Sequence, residues 1–267
     1  MNSGQPLGQH FLRSAKALAD IVSAASLTPS DTVLEIGPGE GVLTKELLAH
    51  AGKVIAIEKD PVLVEFLKSR FGNEIGTDKL LVIEKDIRDF FPEKYGLKKG
   101  KYKLVANIPY YITGEILRKF VGGETPPSHA VLLVQKEVAE RIVEKDGKGS
   151  LLSISVRAFG EPKKMAVVKN TAFSPQPKVD SAILSIENIS DKFFDDISQE
   201  TFFETVKIGF SQKRKQLKNN LNKKFGESAV SGTFNTCSIP EKVRAEKLSL
   251  SQWKCLAREL NKASSHN

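Results

Sequence analysis

Asn107-Ile108-Pro109-Tyr110 brings together an amide side chain, main-chain carbonyls, a stiff turn and an aromatic ring. It follows Lys103-Leu104-Val105-Ala106, which reads as a buried strand. This corner suits a specific chemical problem. The exocyclic amine of a planar base is a poor nucleophile, because its lone pair is delocalised into the ring. The Asn107 side-chain oxygen and the Ile108 carbonyl could accept hydrogen bonds from both amino hydrogens and draw that lone pair out. Pro109 rigidifies the backbone, and Tyr110 offers a flat face on which the base can stack.

A second strand, Val33-Leu34-Glu35-Ile36, opens onto Gly37-Pro38-Gly39-Glu40-Gly41. Open α/β sheets bind ligands at the carboxyl ends of their strands, and Gly37 and Gly39 let a ligand lie against the backbone. Glu58 ends the next strand, 21 residues beyond Gly37, where a carboxylate can accept from both hydroxyls of a ribose. Asp86, with Ile87 beside it, ends a third strand, where the acid can accept from an adenine amine. Each acid could instead merely cap a helix. A dinucleotide site would need Gly-x-Gly-x-x-Gly to seat pyrophosphate on a helix start. Here the third glycine comes one residue early, and Glu40 sets negative charge where phosphates would lie. A sulfonium nucleoside, S-adenosylmethionine, fits better, and the expected reaction is methyl transfer.

The segment Phe173-Ser174-Pro175-Gln176-Pro177-Lys178-Val179-Asp180-Ser181 reads as a stiff extended loop. A base flipped out of its nucleic acid needs flat partners on its faces. Tyr110 and Phe173 are the candidates, with Lys178 available for a phosphate; the alternative for Phe173 is core packing. From Thr205 to Gly226 there are seven Lys/Arg and no Asp/Glu, among them Lys213, Arg214, Lys215 and Lys218. A solvated helix face usually mixes both signs, whereas a one-sign stretch suits a phosphate backbone.

The elements that must position these residues alternate. Strands are expected at Val33–Ile36, Val54–Ile57, Leu80–Ile83, Leu104–Ala106, Ala130–Val134, Met165–Val168 and Ala182–Ile186. Helices are expected from the Ser14 cap through Val22, at Val42–His50, from Pro61, at Thr113–Val121, Glu137–Val143 and Leu151–Ala158. This pattern predicts an α/β fold, a doubly wound, mostly parallel seven-stranded Rossmann-like sheet. Past the polar stretch Asn188–Ser198 the chain reads as helical, over Thr201–Ile208, Arg214–Lys224 and Ser251–Leu260. The expected division is a catalytic, cofactor-binding domain over 1–190 and a smaller all-helical, basic, RNA-binding domain over 191–267.

Of the 267 residues, 40% are apolar, enough for a packed core, and the net charge of +8 favours a polyanionic partner. No run reaches the ~20 apolar residues of a membrane span, and the first residues lack a secretory core. The expected location is therefore cytoplasmic, with Cys237 and Cys255 as reduced thiols. The four histidines show no ligand spacing, and no metal is expected.

Together these residues resemble the ribosomal RNA adenine dimethyltransferases, in particular the bacterial branch acting on small-subunit (16S) RNA. The likeness covers Gly8-Gln9-His10-Phe11-Leu12, Leu34 to Gly41, Glu58, Asp86, Asn107 to Tyr110 and Phe173 to Ser181. It extends to Phe210 through Asn219 and Arg244 through Ser249. The resemblance implies that His10 and Leu12 also line the cofactor site, although Asn is common where His10 stands. It implies a substrate of two adjacent adenosines in the 3′-terminal hairpin loop of 16S ribosomal RNA, within an immature small subunit, for a monomeric enzyme. Related branches methylate large-subunit (23S) RNA in macrolide resistance or double as mitochondrial transcription factors. The basic Gln212–Asn219 segment and Arg244–Ser249 favour the small-subunit branch. A different reading is an assembly checkpoint in which RNA binding outweighs catalysis.

Overall fold

Short apolar runs bounded by capping residues close into a sheet whose strand ends gather the residues singled out above. The computed structural model describes residues 10–144 and 149–264, so Gly8 and Gln9 lie outside it. In chain order the elements of the first half are β1 (Phe11–Leu12), α1 (Ala15–Ala25), β2 (Thr32–Ile36), α2 (Val42–His50), β3 (Lys53–Glu58), α3 (Pro61–Arg70), α4 (Gly72–Gly76), β4 (Leu80–Glu84), β5 (Lys103–Asn107) and α5 (Thr113–Ile116). They continue with β6 (His129–Gln135), α6 (Lys136–Val143), α7 (Leu151–Phe159), β7 (Glu161–Val168), β8 (Phe173–Ser174) and β9 (Ser181–Glu187). Last come α8 (Gln199–Gly209), α9 (Leu217–Phe225), α10 (Glu227–Thr236) and α11 (Leu250–Ser264).

The main sheet has seven strands in the order β4-β3-β2-β5-β6-β9-β7. The first five of that order pair in parallel, and β9 runs antiparallel to both β6 and β7. Parallel strands are covered on both faces, which is why Val33, Leu34, Val54, Leu104 and Val105 are fully buried. Helix starts follow local chemistry. The Ser14 hydroxyl accepts from the Ala17 N–H at 3.3 Å, and Asp60 accepts from the Val62 N–H at 2.9 Å with Pro61 at the first helical position. The helix expected over Thr113–Val121 begins as α5 and continues as a π-turn over Leu117–Val121.

The chain forms two compact units, one running to Glu140 and resuming over Gly160–Ser190, the other comprising Arg141–Phe159 and the residues from Asp191 onward. The expected boundary at 190 therefore leaves out one piece. Residues 141–159 belong with the later helices, because Ile154 and Ala158 share an apolar cluster with Phe202, Val206 and Trp253. Three further expectations change in this helical unit. α9 starts at Leu217, so Lys213-Arg214-Lys215 lie on a turn closed by Lys215 N–H to Gln212 C=O at 3.1 Å. The polar α10 had no periodic apolar stripe to announce it. Cys237 and Cys255 are joined as a disulfide with their Cα atoms 5.8 Å apart, since the end of α10 packs on α11. Among the described residues no helix is long and apolar enough to cross a membrane.

Close approach at Gly209 makes a sensitive test of helical packing. A Cβ there would lie 2.4 Å from Trp253 Cη2 and 2.9 Å from Leu217 Cδ1. Gly209→Ala should destabilise the protein by about 1–3 kcal/mol, the usual penalty for overpacking. A fall in the urea midpoint at unchanged m-value would show it.

Candidate active site

The carboxyl ends of β2, β3, β4 and β5 border two adjoining cavities, both lined by Gly37, Glu58 and Pro109. Gly37, Gly39 and Gly41 all take positive φ, at 67°, 58° and 75°, which only glycine adopts readily. Their roles differ. A Cβ on Gly39 would press on the Phe11 ring at 3.0 Å beside the first cavity, whereas one on Gly41 would strike Phe71 at 2.5 Å in the packing below. The turn is thus open toward a ligand at Gly37, tight against Phe11 at Gly39 and closed by packing at Gly41.

Both predicted acids line this edge. Glu58 Oε2 accepts from the Gly39 N–H at 3.2 Å, and Oε1 accepts from the Lys59 and Asp60 N–H groups at 2.8 and 3.0 Å. Its carboxylate orders the glycine turn and still has lone pairs for ribose hydroxyls. Asp86 Oδ1 accepts from the Arg88 N–H at 3.0 Å, capping a short 3-10 turn, while Oδ2 pairs with Lys59 at 2.8 Å. The Lys59 ammonium, helped by the Arg88 N–H, holds the Asp86 carboxyl below its usual range. The capping reading and the binding reading thus coexist at this residue. Ile87 lines the second cavity with Asp86.

Around the first cavity, His10 and Leu12 are present as expected. β1 pairs with β8 in the register Leu12↔Phe173, and His10 Nδ1 lies 2.8 Å from the Pro175 carbonyl. The Asn107 amide nitrogen donates to the His10 carbonyl at 3.3 Å, and its Oδ1 carries no hydrogen bond among the described residues. The amide is therefore oriented, with its acceptor left over. Pro109 C=O receives the Ile112 N–H at 3.2 Å, whereas the Ile108 carbonyl takes part in no turn bond among the described residues. The Tyr110 hydroxyl meets the Ser181 hydroxyl at 2.7 Å, and its ring lies 5.9 Å from that of His10. Burial pushes the Tyr110 phenol up, with Ser181 opposing.

Phe173 differs from expectation. It is only 5% exposed and packs in the apolar cluster with Leu12, Leu18 and Val168. To stack on a base, its ring would have to leave that packing. Tyr110 is the aromatic side chain of the predicted pair that lines the cavity. Lys178 is exposed near Lys136 and Asn170 on a different, shallow depression. In the helical unit Lys213, Arg214 and Lys215 are exposed, and among the described residues no ion pair engages them. Lys218 does not join them: it pairs with Glu241 at 2.8 Å and reaches Glu227 at 3.9 Å. Both acids lie outside the one-sign stretch, so charge counting along it could not reveal them.

Several residues here escaped the sequence reading. Glu40, read as hostile to phosphate, forms a two-pronged pair with Arg13 at 2.6 and 3.2 Å, which neutralises it. Ser181 anchors Tyr110. Glu35 is 1% exposed, lines the first cavity, and neither carboxyl oxygen has a hydrogen-bond partner among the described residues. A lone charged residue in the apolar run Val33–Ile36 was the available signal. Burial pushes its carboxyl up to about 8, the neighbouring Thr44 hydroxyl opposing and Glu58 adding to the rise. No group of His, Cys, Asp and Glu among the described residues could hold a metal ion.

The donors and acceptors suit a positively charged nucleoside. Glu58 brings a carboxylate to the first cavity, whose lining holds no Lys or Arg, and the backbone at Gly37 is bare. A doubly wound sheet with this edge defines a Rossmann-like methyltransferase. The chain belongs to the ribosomal RNA adenine dimethylase family, whose model matches residues 2–262. It is an S-adenosylmethionine-dependent ribosomal RNA adenine dimethyltransferase. It is 43% identical to the ribosomal RNA small subunit methyltransferase A of Dehalococcoides mccartyi strain BAV1, over 95% of this chain and 87% of that protein. Its structure is similar to that of a dimethyladenosine transferase from Plasmodium falciparum (TM-score 0.79, 28% identity, 96% of this chain and 98% of that one). It also resembles the 23S rRNA methyltransferase ErmE (TM-score 0.76, 27% identity, 94% and 99%).

The Glu35 carboxyl makes stability depend on pH. Its ordinary value near 4.5 rises to about 8 on folding, so within that window the folded protein holds a proton the unfolded chain has released. The stability contributed by the neutral acid is complete below about 4.5, declines across the window, and is gone once pH passes about 8. Glu35→Gln should therefore unfold at a temperature similar to wild type at pH 5 and at a higher one at pH 8.5. Parallel melting curves for the two proteins at both pH values would refute this.

Proposed function

We propose that this enzyme dimethylates the 6-amino groups of two adjacent adenosines in the 3′-terminal hairpin loop of 16S ribosomal RNA, acting as a cytoplasmic monomer on an immature small subunit. The observation that carries the reaction is the oriented Asn107 amide, its Oδ1 without a partner among the described residues, beside a nucleoside cavity that Glu58 lines. Support for the small subunit comes from the 43% identity to a small subunit methyltransferase, against 27% to a 23S enzyme. Cytoplasmic placement rests on the ribosomal substrate rather than on the cysteines.

When bound, S-adenosylmethionine supplies an electrophilic methyl group that already carries its activating charge. Gly37 and Gly39 would hold it by main chain, Glu58 at the ribose, Asp86 and Ile87 at the adenine, and His10, Leu12 and Asn107 at the remaining wall. Asn107 Oδ1 and the Ile108 carbonyl accept from the amino hydrogens of the target base and turn its lone pair outward. Tyr110, fixed by Ser181, supports the base, so amine and methyl are held in near-attack geometry. The proton lost from nitrogen after transfer goes to solvent, and no strong base is needed. After the first methylation one amino hydrogen remains, and the pocket must admit a methyl in place of the other.

Asn107→Ala should lower single-turnover methyl transfer to immature small subunits by about 10²–10³, the usual loss on removing one positioned polar group, while RNA binding persists. Tyr110→Phe and Ser181→Ala should each slow transfer modestly, and the double variant should be no worse than either, because both break the same bond. Transfer by Asn107→Ala at the wild-type rate would discard amine activation.

RNA is anchored by the exposed cations Lys213, Arg214 and Lys215 on the α8–α9 turn. Each neutralised phosphate releases counterions, steepening the salt dependence of binding. Replacing Lys213, Arg214 and Lys215 together with Gln should flatten that slope and weaken RNA binding without altering cofactor affinity. Lys218→Gln should have a much smaller effect, since its charge is balanced by Glu241. An unaltered slope in the triple variant would move the anchor elsewhere.

A further inference from the structure

Tyr111 is an aromatic residue at the catalytic corner to which the mechanism above gives no role. It follows Tyr110 directly, yet the two rings differ in their surroundings. Tyr110 is half-buried and fastened to Ser181. Tyr111 is 72% exposed, more than Phe91 at 47% or Phe66 at 46%, the other exposed rings among the described residues. No hydrogen bond holds its hydroxyl among those residues. A single exposed ring is ordinary; what surrounds this one gives it meaning.

Tyr111 stands on a 3-10 turn, Tyr110–Ile112, that runs into α5. Residues three apart eclipse in such a turn, so Gly114 lies beside Tyr111 and presents no side chain. A Cβ on Gly114 would have only Arg118 Nη1 within contact, at 3.6 Å. Arg118 thus folds back over Gly114, toward the turn that carries Tyr111. Its side chain is exposed, and among the described residues no ion pair engages it. Lys59, Arg88 and Lys119 nearby are occupied, by Asp86 at 2.8 Å, by Glu115 at 3.3 Å and by the Arg88 carbonyl. A solvent-facing ring, a bare glycine and an available guanidinium make a platform for one nucleotide, with stacking for its base and charge for its phosphate.

A base turned out of its strand leaves the next base without a stacking partner. Tyr111, one residue from Tyr110, is placed to replace that partner, whereas Phe173 is packed in the core. We propose that Tyr111, Gly114 and Arg118 form a subsite for the nucleotide adjoining the flipped adenosine, its base on the Tyr111 ring and its phosphate on Arg118. For one of the two targets that neighbour is the other adenosine. The inference rests on the adenosine-methylation reading and deepens it with a second base contact. Tyr111 also lines the second cavity, so the competing role for its ring is to cover the methyl donor.

The test uses small subunits reconstituted on 16S RNA with a synthetic 3′ segment, either intact or with an abasic site in place of one or the other adenosine. Single-turnover transfer at subsaturating enzyme and affinity for the subunit are both read. Tyr111→Ala should slow transfer to intact subunits by about fivefold to a hundredfold, the usual effect of removing one base–aromatic stack. Tyr111→Phe keeps the ring and should stay close to wild type. On one of the two abasic substrates Tyr111→Ala should be no slower than wild type, because the base it would stack on is already missing. Arg118→Gln should lower the slope of log affinity against log salt by about one on every substrate. Affinity for S-adenosylhomocysteine, read by calorimetry, should not change in Tyr111→Ala. A Tyr111→Ala loss of equal size on all three substrates, or no loss on any, would overturn the proposal. So would a matching loss of S-adenosylhomocysteine affinity, which would give the ring to the methyl donor. If wild type left both adenosines of intact subunits unmethylated, the adenosine-methylation reading would fall and take the proposal with it.

Discussion

Parallel pairing of β4, β3, β2 and β5 is the constraint on which the rest of this enzyme depends. Because these strands run the same way in register, Ile36, Glu58, Glu84 and Asn107 end along one edge. Everything that touches a ligand is grafted onto that edge by short turns. The turn after β2 needs positive φ at three glycines, and the one after β5 needs the stiffness of Pro109. A strand slipped by one residue would turn Glu58 to the opposite face and leave the Gly39 N–H without its acceptor.

Residues at this edge serve scaffold and ligand together. Glu58 gathers three main-chain N–H groups, Asp86 caps a turn and holds Lys59, and the Asn107 amide ties down the His10 carbonyl. In each case one end of a polar side chain fixes geometry and leaves acceptor capacity for a substrate. The arrangement is preorganised, so little reorganisation accompanies the reaction. Substitutions at such positions will mix structural and chemical effects. The isosteric exchanges, Gln for Glu and Phe for Tyr, are therefore more informative than truncation to Ala.

Much of the fold was legible because it is written locally. Val42–His50 and the start at Pro61 follow from caps and apolar spacing, and the order of strands and helices announced a parallel sheet. Glu58, Asp86 and Asn107 were legible because each ends a strand, where open sheets place their ligands. What escaped depends on partners distant in sequence. Arg13 meets Glu40, Lys218 meets Glu241, and Cys237 meets Cys255 only once the chain has folded. Leu217 rather than Arg214 begins α9 because Asn220 donates to the Gly209 and Gln212 carbonyls and staples the turn before it. Phe173 shows the opposite failure. Its motif suggested an exposed ring, but pairing of β8 with β1 draws it into the core beneath.

That same small pairing has a consequence for biosynthesis. His10 and Pro175 meet across a sequence separation of 165 residues, and Tyr110 waits for Ser181. The cavity wall is made from the beginning and the end of the catalytic unit, while the glycine turn and Asn107 come between. A nascent chain can pair the central parallel strands early, yet it has no finished site until residue 181 has left the exit tunnel. Contacts this distant in sequence form late and slowly. The cavity wall of this enzyme is thus complete only once its catalytic unit is almost entirely synthesised.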